Sequence, residues 1–329
     1  MDRKQALLAW TQQSLNDTEC YIKPASNDAS FRSYFRVFSR SDTFIIMDAP
    51  TEHENCLPFI DISKRLDLTG VQVPIIIDKN LSEGFLLLTD LGTVQYLNIL
   101  NQENFISLYE DAIDKLHLIQ DKTDCSDLPH YSHKLLQTEL DLFTQWFIKE
   151  HLGITLDDKQ RKTITDYEDL LIKNALAQPQ AFVHRDYHSR NLMKTKDNNP
   201  GILDFQDAVI GPITYDLVSL LRDCYISWDK DIVYQLADDF RKRYNQLNHV
   251  NIKSEQWEKW FDFMGVQRHL KAIGIFCRLN YRDKKPNYLK DINRTLCYVK
   301  TVCENYFELT GLLKLIKDIS PSMDIICEP

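Results

Sequence analysis

The sequence predicts an α+β chain in two parts, a small antiparallel-sheet lobe of about 90 residues and a larger, mainly helical one. Two observations divide it. Before Gly92, short β-rich runs alternate with turn residues, and after it apolar residues recur at helical spacing. A third, the 43% hydrophobic and 11% aromatic content of 329 residues, allows a sizeable core and excludes general disorder. Asp90-Leu91-Gly92 breaks the pattern, which sets the parts at 1–92 and 93–329.

Residues 2–16 suit an amphipathic helix, with Leu7, Leu8, Trp10 and Leu15 on one side and Asn16-Asp17 ending it. Residues 23–32 (KPASNDASFR) read as a polar turn. Residues 34–38 and 43–47 read as strands, the second (TFIIM) closed by Pro50. A helix follows over 52–68, stopped by Gly70. Residues 71–78 and 85–89 (FLLLT) are two further strands around a turn at 80–84. Beyond Gly92, Phe105, Leu108, Ala112 and Leu116 form one helical stripe, and 135–150 and 158–177 are two more helices. Phe182-Val183 and 201–205 are short apolar strands. From Tyr215 onward the chain is helical, with Ile292, Leu296, Val299, Cys303 and Tyr306 at alternating steps of four and three.

The 39 basic residues stand against 48 acidic ones, a net charge of −9. Polyanion binders carry a basic excess, so nucleic acid and anionic membrane are not expected as main partners. No obligate protein partner is implied. The 8 cysteines include no C-x-x-C pair and no Cys/His cluster with zinc spacing, so reduced thiols are expected. Residues 1–17 lack the apolar region of a signal peptide, and no apolar run approaches the roughly 20 residues of a membrane span. A cytoplasmic location is therefore expected.

The densest polar stretch is His184-Arg185-Asp186-Tyr187-His188-Ser189-Arg190-Asn191, flanked by apolar pairs. Asp204-Phe205-Gln206 follows on the next strand pattern. The first run has the kinase catalytic-loop spacing H-R-D-x-x-x-x-N, and the second matches D-F-G with Gln in place of Gly. Phosphoryl transfer needs a carboxylate to orient the attacking hydroxyl and accept its proton, and oxygen ligands for the magnesium ions that bridge the phosphates. Asp186 suits the first task; Asn191 and Asp204 suit the second. No glycine is followed by lysine, which excludes a P-loop.

These residues resemble the aminoglycoside-phosphotransferase-like (choline-kinase-like) small-molecule kinases. His188 gives the form H-x-D-x-H-x-x-N, where protein kinases carry lysine, and no A-P-E segment follows. Gly211-Pro212 and Tyr215-Asp216-Leu217 follow Asp204 in that family's order. VHRDYHSRNLM, LDFQDAVIGPITYDLVSLLRDCY, NDASFRSYFRV, IIMDAP, LLLTDLG and QRHLKAIGIFCRL are similar to the bacterial N-acetylmuramate/N-acetylglucosamine 1-kinases of cell-wall recycling, over nearly the whole chain. The resemblance implies a two-lobed protein-kinase-like fold, ATP and Mg2+ as cofactors, and an amino sugar phosphorylated at its anomeric hydroxyl. It implies that His184, His188 and Asp216 support the catalytic loop, Asp216 through the loop backbone. The residues alone equally allow Asp216 as a helix N-cap. It also implies that Leu88, Thr89, Asp90 and Leu91 form the hinge that meets adenine; a plain strand end fits the same residues.

Two departures bear on ATP. Met47 stands where a kinase carries the strand lysine, and no glycine precedes Gly70, so the glycine-rich phosphate loop is missing. Arg32, after the turn at 27–30, is the nearest phosphate-holding candidate, with Lys23 and Arg36 behind it. Glu54 lies where the family's helix glutamate is expected.

Residues 264–294 hold eight Lys/Arg against two Asp. At 100° per residue Arg268, Lys271, Arg278 and Arg282 fall on one helix face. That face is expected to bind a substrate carboxylate or phosphate; a solvated, ion-paired surface is the plainer alternative. A polycationic aminoglycoside fits it poorly, and a sugar with a lactyl carboxylate fits it well. Two readings compete with a sugar kinase: a kinase of another small alcohol, and a nucleotide-binding pseudokinase.

Overall fold

Asp2 and Gln5 close a capping box at the start of the first helix, α1 (Arg3–Leu15), and Asn16 ends it in a left-handed conformation. The computed structural model describes residues 2–26, 31–40 and 42–320. Against α1 packs an antiparallel sheet of β1 (Tyr21–Ser26), β2 (Ser33–Ser39), β3 (Asp42–Asp48), β4 (Ile76–Asn80) and β5 (Phe85–Thr89), in the order β1-β2-β3-β5-β4. Leu7, Val37, Ile46, Phe85 and Leu87 form the buried seam. Helix α2 (Leu57–Leu68) begins five residues later than expected, because Pro58 suits the first helical turn. Glu54 is therefore on the loop before α2 and not on the helix.

Two expectations change here. β1 occupies the first part of the anticipated polar turn; its proline is tolerated because β1 is the sheet edge, and the register shifts between Pro24 and Ser26. The turn at 27–30 lies outside the described residues. The run 71–78 is strand only from Ile76, while Gln72 leaves the sheet and bridges Gly201.

The chain separates into two compact units. The first holds the described residues of 1–102, 122–124 and 190–207, and the second those of 103–121, 125–189 and 208–329. Four short strands follow β5: β6 (Gln180–Val183), β7 (Leu192–Met193), β8 (Gly201–Ile202) and β9 (Val209–Pro212). β7 and β8 form a hairpin in the first unit, and β6 and β9 an antiparallel ribbon in the second.

The rest of the second unit is helical: α3 (Phe105–Lys122), α4 (His133–Leu142), α5 (Asp158–Leu176), α6 (Tyr215–Leu221), α7 (Lys230–Asn248), α8 (Ser254–Tyr281), α9 (Ile292–Asn305) and α10 (Thr310–Ile319). α4 runs on as a π-helix, Phe143–His151, where the sequence predicts one unbroken α-helix. α8 is buried on nearly all sides, the mark of a central helix. Gly274 lets it approach α4 closely, since a Cβ there would lie 2.4 Å from the Leu142 carbonyl carbon. Among the described residues no helix is long and apolar enough to cross a membrane. Six of the described cysteines are free thiols.

Candidate active site

In the second unit, β6 delivers His184, Arg185 and Asp186 at its end. Arg185 takes a left-handed backbone (φ 78°), a conformation that needs support. Asp216, fully buried in the first turn of α6, supplies it: its carboxylate accepts the N–H of His184 at 2.6 Å and of Arg185 at 3.0 Å. The N-cap of α6 is Thr214, so Asp216 serves the loop. Burial pushes the Asp216 carboxyl up to about 7, against the pull of those two donors. His184 Nδ1 accepts the Asp186 N–H at 3.2 Å. Further along, the Ser189 N–H and Oγ donate to Asp223 at 2.9 and 2.5 Å, and the His188 ring meets Tyr225 edge-on at 5.4 Å.

A charge network underlies the loop. Glu139 of α4, 4% exposed, pairs with Arg185 at 2.6 Å and with Lys271 of α8 at 2.9 Å, and accepts the Tyr131 hydroxyl. Lys271 Nζ also donates to the Tyr215 hydroxyl at 2.9 Å. Burial would raise the Glu139 carboxyl, but Lys271 and Arg185 keep it below its ordinary value. Burial likewise opposes ionisation of Asp186, yet Lys271, His188, Arg268 and Arg185 bring it down to about 2.

This network accounts for two of the four cations expected on a substrate-binding face. Arg268 and Lys271 are 6% and 7% exposed, and their charge acts on Asp186. Arg278 is half-buried, its basicity lowered by burial and by Arg282, and Arg282 caps α8 and pairs with Asp283 at 2.8 Å. Fourteen residues of rise separate Arg268 from Arg282 by about 21 Å, so no small ligand spans the four. His269 is a packed histidine, its Nε2 at 2.9 Å from the Arg222 carbonyl and its ring stacked on Tyr298.

In the first unit, Asn191 precedes β7, and its carbonyl accepts the Leu203 N–H at 2.9 Å across the hairpin. Asp204 has φ 63°, a strained value for a non-glycine residue. Its two carboxylate oxygens are held by amides, one from Asn191 at 3.4 Å and one from Gln206 at 2.7 Å. Phe205 is buried against Phe59 of α2, with ring centroids 4.9 Å apart. The Gln206 Oε1 is buried without a hydrogen bond, an oxygen ready to accept. Among the described residues no group of three His, Cys, Asp or Glu is placed to hold a metal, so any cation here relies on amide oxygens as well.

Met47 is fully buried in the sheet core and cannot meet a phosphate. Arg32 and Glu54 form an ion pair at 2.8 Å, each largely shielded. Burial weakens the Arg32 charge, but Tyr34, Glu54 and Asp207 more than restore it. Arg36 is committed elsewhere, to Asp90 at 2.6 Å and the Gly92 carbonyl at 2.7 Å. Lys23 lies over the Tyr21 and Phe38 rings. Leu88 is buried at the end of β5, and the Thr89 N–H is spent on the Ile75 carbonyl at 3.0 Å. Asp90 accepts the Gly92 N–H at 2.9 Å, bending the chain around Leu91.

Glu139, Tyr131, Asp223 and Gln206 are absent from the sequence-based site. The one signal for Glu139 is a lone acid in an otherwise apolar stripe with Leu136 and Leu140.

Residues 22–256 match the model of the phosphotransferase enzyme family. The chain is 43% identical over 328 residues to the N-acetylmuramate/N-acetylglucosamine kinase of Pseudomonas putida, covering 96% of each chain. It is similar in structure to the choline kinase LicA from Streptococcus pneumoniae (TM-score 0.65, 11% identity, 92% of this chain and 99% of that one). It is also similar to an ADP-bound aminoglycoside phosphotransferase (TM-score 0.56, 15% identity, 91% and 98%).

Proposed function

The chain belongs to the phosphotransferase enzyme family, and from that premise we propose that it transfers the γ-phosphoryl group of ATP to the anomeric hydroxyl of N-acetylmuramate and N-acetylglucosamine. Support for the sugar comes from the Pseudomonas putida relative, 43% identical over 96% of both chains. Support for the chemistry comes from one observation above all: a carboxylate, Asp186, kept ionised by surrounding cations on a loop whose backbone is pinned by Asp216. A 1-phosphate product places the enzyme in the salvage of cell-wall amino sugars, in the cytoplasm where ATP is available.

A carboxyl with a pKa of about 2 is a weak base. Asp186 therefore orients the acceptor hydroxyl and takes its proton late, as a loose phosphoryl transition state requires. His184 accepts the Asp186 N–H, and Tyr187 ties the loop to the Ala112 carbonyl at 2.8 Å, which fixes the direction of the carboxylate. Asn191 and Asp204 would hold magnesium. The spare Gln206 Oε1 and the amide-held Asp204 oxygens fit a hard cation that takes oxygen ligands. Magnesium held by these residues would supply positive charge to offset that developing on the transferred phosphoryl group.

Arg32, anchored by Glu54, takes the place of the missing strand lysine and holds ATP phosphate. The ion pair that kinases build from strand and helix is thus rebuilt from the ends of two loops. Residues 88–91 meet adenine through backbone groups other than the Thr89 N–H. We assign nucleotide binding to 1–92 and sugar binding with catalysis to 93–329. Of the four cations first assigned to the substrate, Lys271 and Arg282 are paired with carboxylates, whereas Arg268 and Arg278 form no ion pair among the described residues; Arg268 and Lys271 serve Asp186, which leaves Arg278 for the sugar.

Incubation with ATP, magnesium and a panel of N-acetylated amino sugars, choline, ethanolamine and aminoglycosides tests the proposal. ADP release with the two N-acetyl sugars and not with the cationic alcohols is expected. Release only with a cationic alcohol contradicts the sugar assignment, and release with none contradicts the kinase.

A further inference from the structure

A cavity of about 480 Å³ opens in the second unit beside the start of α7 and the length of α9. Its walls include Arg222, Trp228, Lys230, Lys290, Arg294 and Tyr298, and no residue of the 184–189 loop. A ligand within it is therefore not the phosphoryl acceptor. The volume falls in the usual range for small-molecule sites.

Charge decides the ligand class. Arg222 is neutralised by Asp262 at 2.5 Å and Arg294 by Asp291 at 3.2 Å. Lys230 and Lys290, in contrast, form no ion pair among the described residues. The one acid in the wall, Asp229, accepts the N–H groups of Asp231 and Ile232 through one carboxylate oxygen at 2.9 and 3.2 Å as the cap of α7, so its single negative charge stands against the two lysines. In a protein of net charge −9, this is a local cationic excess lined with aromatic rings, suited to a ring that carries an anion.

The cavity is also wired to catalysis. Arg294 donates to the Cys224 carbonyl at 3.0 Å, and the Tyr298 hydroxyl lies 3.4 Å from the Ile226 carbonyl. The same segment bears Asp223, which holds Ser189, and Tyr225, which meets His188. An anion that draws Arg294 toward itself competes with the bond that fixes Cys224, which lies between the two catalytic-loop contacts Asp223 and Tyr225.

We propose that this cavity is an effector site for a sugar bearing a carboxylate or phosphate, acting on the catalytic loop through residues 223–228. Glucuronate and glucose 1-phosphate are the probes, with glucose as the neutral control. Calorimetric titration is done with ADP, magnesium and N-acetylglucosamine present in excess, so that the substrate sites are filled. At least one anion is expected to bind under these conditions, and which one does distinguishes carboxylate from phosphate as the recognised group. The double variant Lys230→Met/Lys290→Met is expected to bind it about tenfold or more weakly, the loss of charge-assisted contacts, while its turnover without effector matches wild type. The bound anion is expected to change wild-type turnover at saturating ATP and sugar and to leave the variant unchanged. The proposal is overturned if neither anion binds, if glucose binds equally well, if the variant binds as tightly as wild type, or if binding leaves wild-type turnover unaltered.

Discussion

Replacing Lys271 with methionine separates an electrostatic role from direct sugar binding. Lys271 leads the cations that hold Asp186 near 2 against its ordinary 3.8. That lowering favours the carboxylate by about 2–3 kcal/mol. The sign follows from the depressed value: Asp186 contributes stability at pH above 3.8, and the contribution is lost as the pH falls toward 2. With Lys271 gone, burial is less opposed and the Asp186 carboxyl rises. The acid limb of kcat/KM is expected to move up by about one to two pH units, into a range where the profile can be measured. The variant also leaves Glu139, 4% exposed, with only Arg185 and Tyr131 as partners. Breaking a buried pair costs about 3–5 kcal/mol, and the remaining partners place this case at the low end. Urea unfolding at neutral pH measures it, and a cycle with Glu139→Gln is expected to return a coupling of about 1.5–3 kcal/mol. An unchanged acid limb, unchanged stability and a raised KM for sugar alone would refute the reasoning and return Lys271 to the substrate.

Asp186→Asn is expected to abolish transfer while ADP binding, followed by calorimetry, survives; substantial turnover removes Asp186 from its role. Asp204→Ala and Asn191→Ala are expected to raise the magnesium needed for activity, Asp204→Ala more steeply because it removes a full charge, and unaltered magnesium titrations would contradict the ligand assignment. Arg32→Met is expected to weaken ATP binding about ten- to a hundredfold, the worth of one charge-assisted contact, with Glu54→Gln milder. Equal ATP affinity in Arg32→Met would mean that another group replaces the strand lysine.

Local spacing was the most legible part of the chain. The strand at 85–89 is an uninterrupted apolar run and is buried from Phe85 to Leu88. Asp186, Asn191 and Asp204 lie in two short segments, so their chemistry is visible as spacing alone. Partners distant in sequence were not legible. Glu139 reaches Arg185 across 46 positions, and nothing near either residue announces the pair. Arg32 and Glu54 were each visible, but their pairing depends on how β2, β3 and the loop before α2 return the chain. The depth of the cationic face of α8 was not legible, for a geometric reason. Angle around a helix places residues on one side, whereas rise along it and burial decide whether they share a ligand. Arg268 and Lys271 fit a solvated surface in sequence, yet both are buried, with Asp262, Gln267 and His269, in a helix enclosed by its neighbours. β1 was hidden by its proline, lysine and serine, which an edge strand tolerates.

The position of the transferred phosphate tests the central claim most directly. The product formed from ATP, magnesium and N-acetylglucosamine or N-acetylmuramate is examined by phosphorus NMR with coupling to the sugar protons. Coupling of phosphorus to the anomeric proton, giving a sugar 1-phosphate from both sugars, is the predicted result. Phosphate on the 6-hydroxyl, or no phosphorylated sugar while ATP binding is intact, would contradict it.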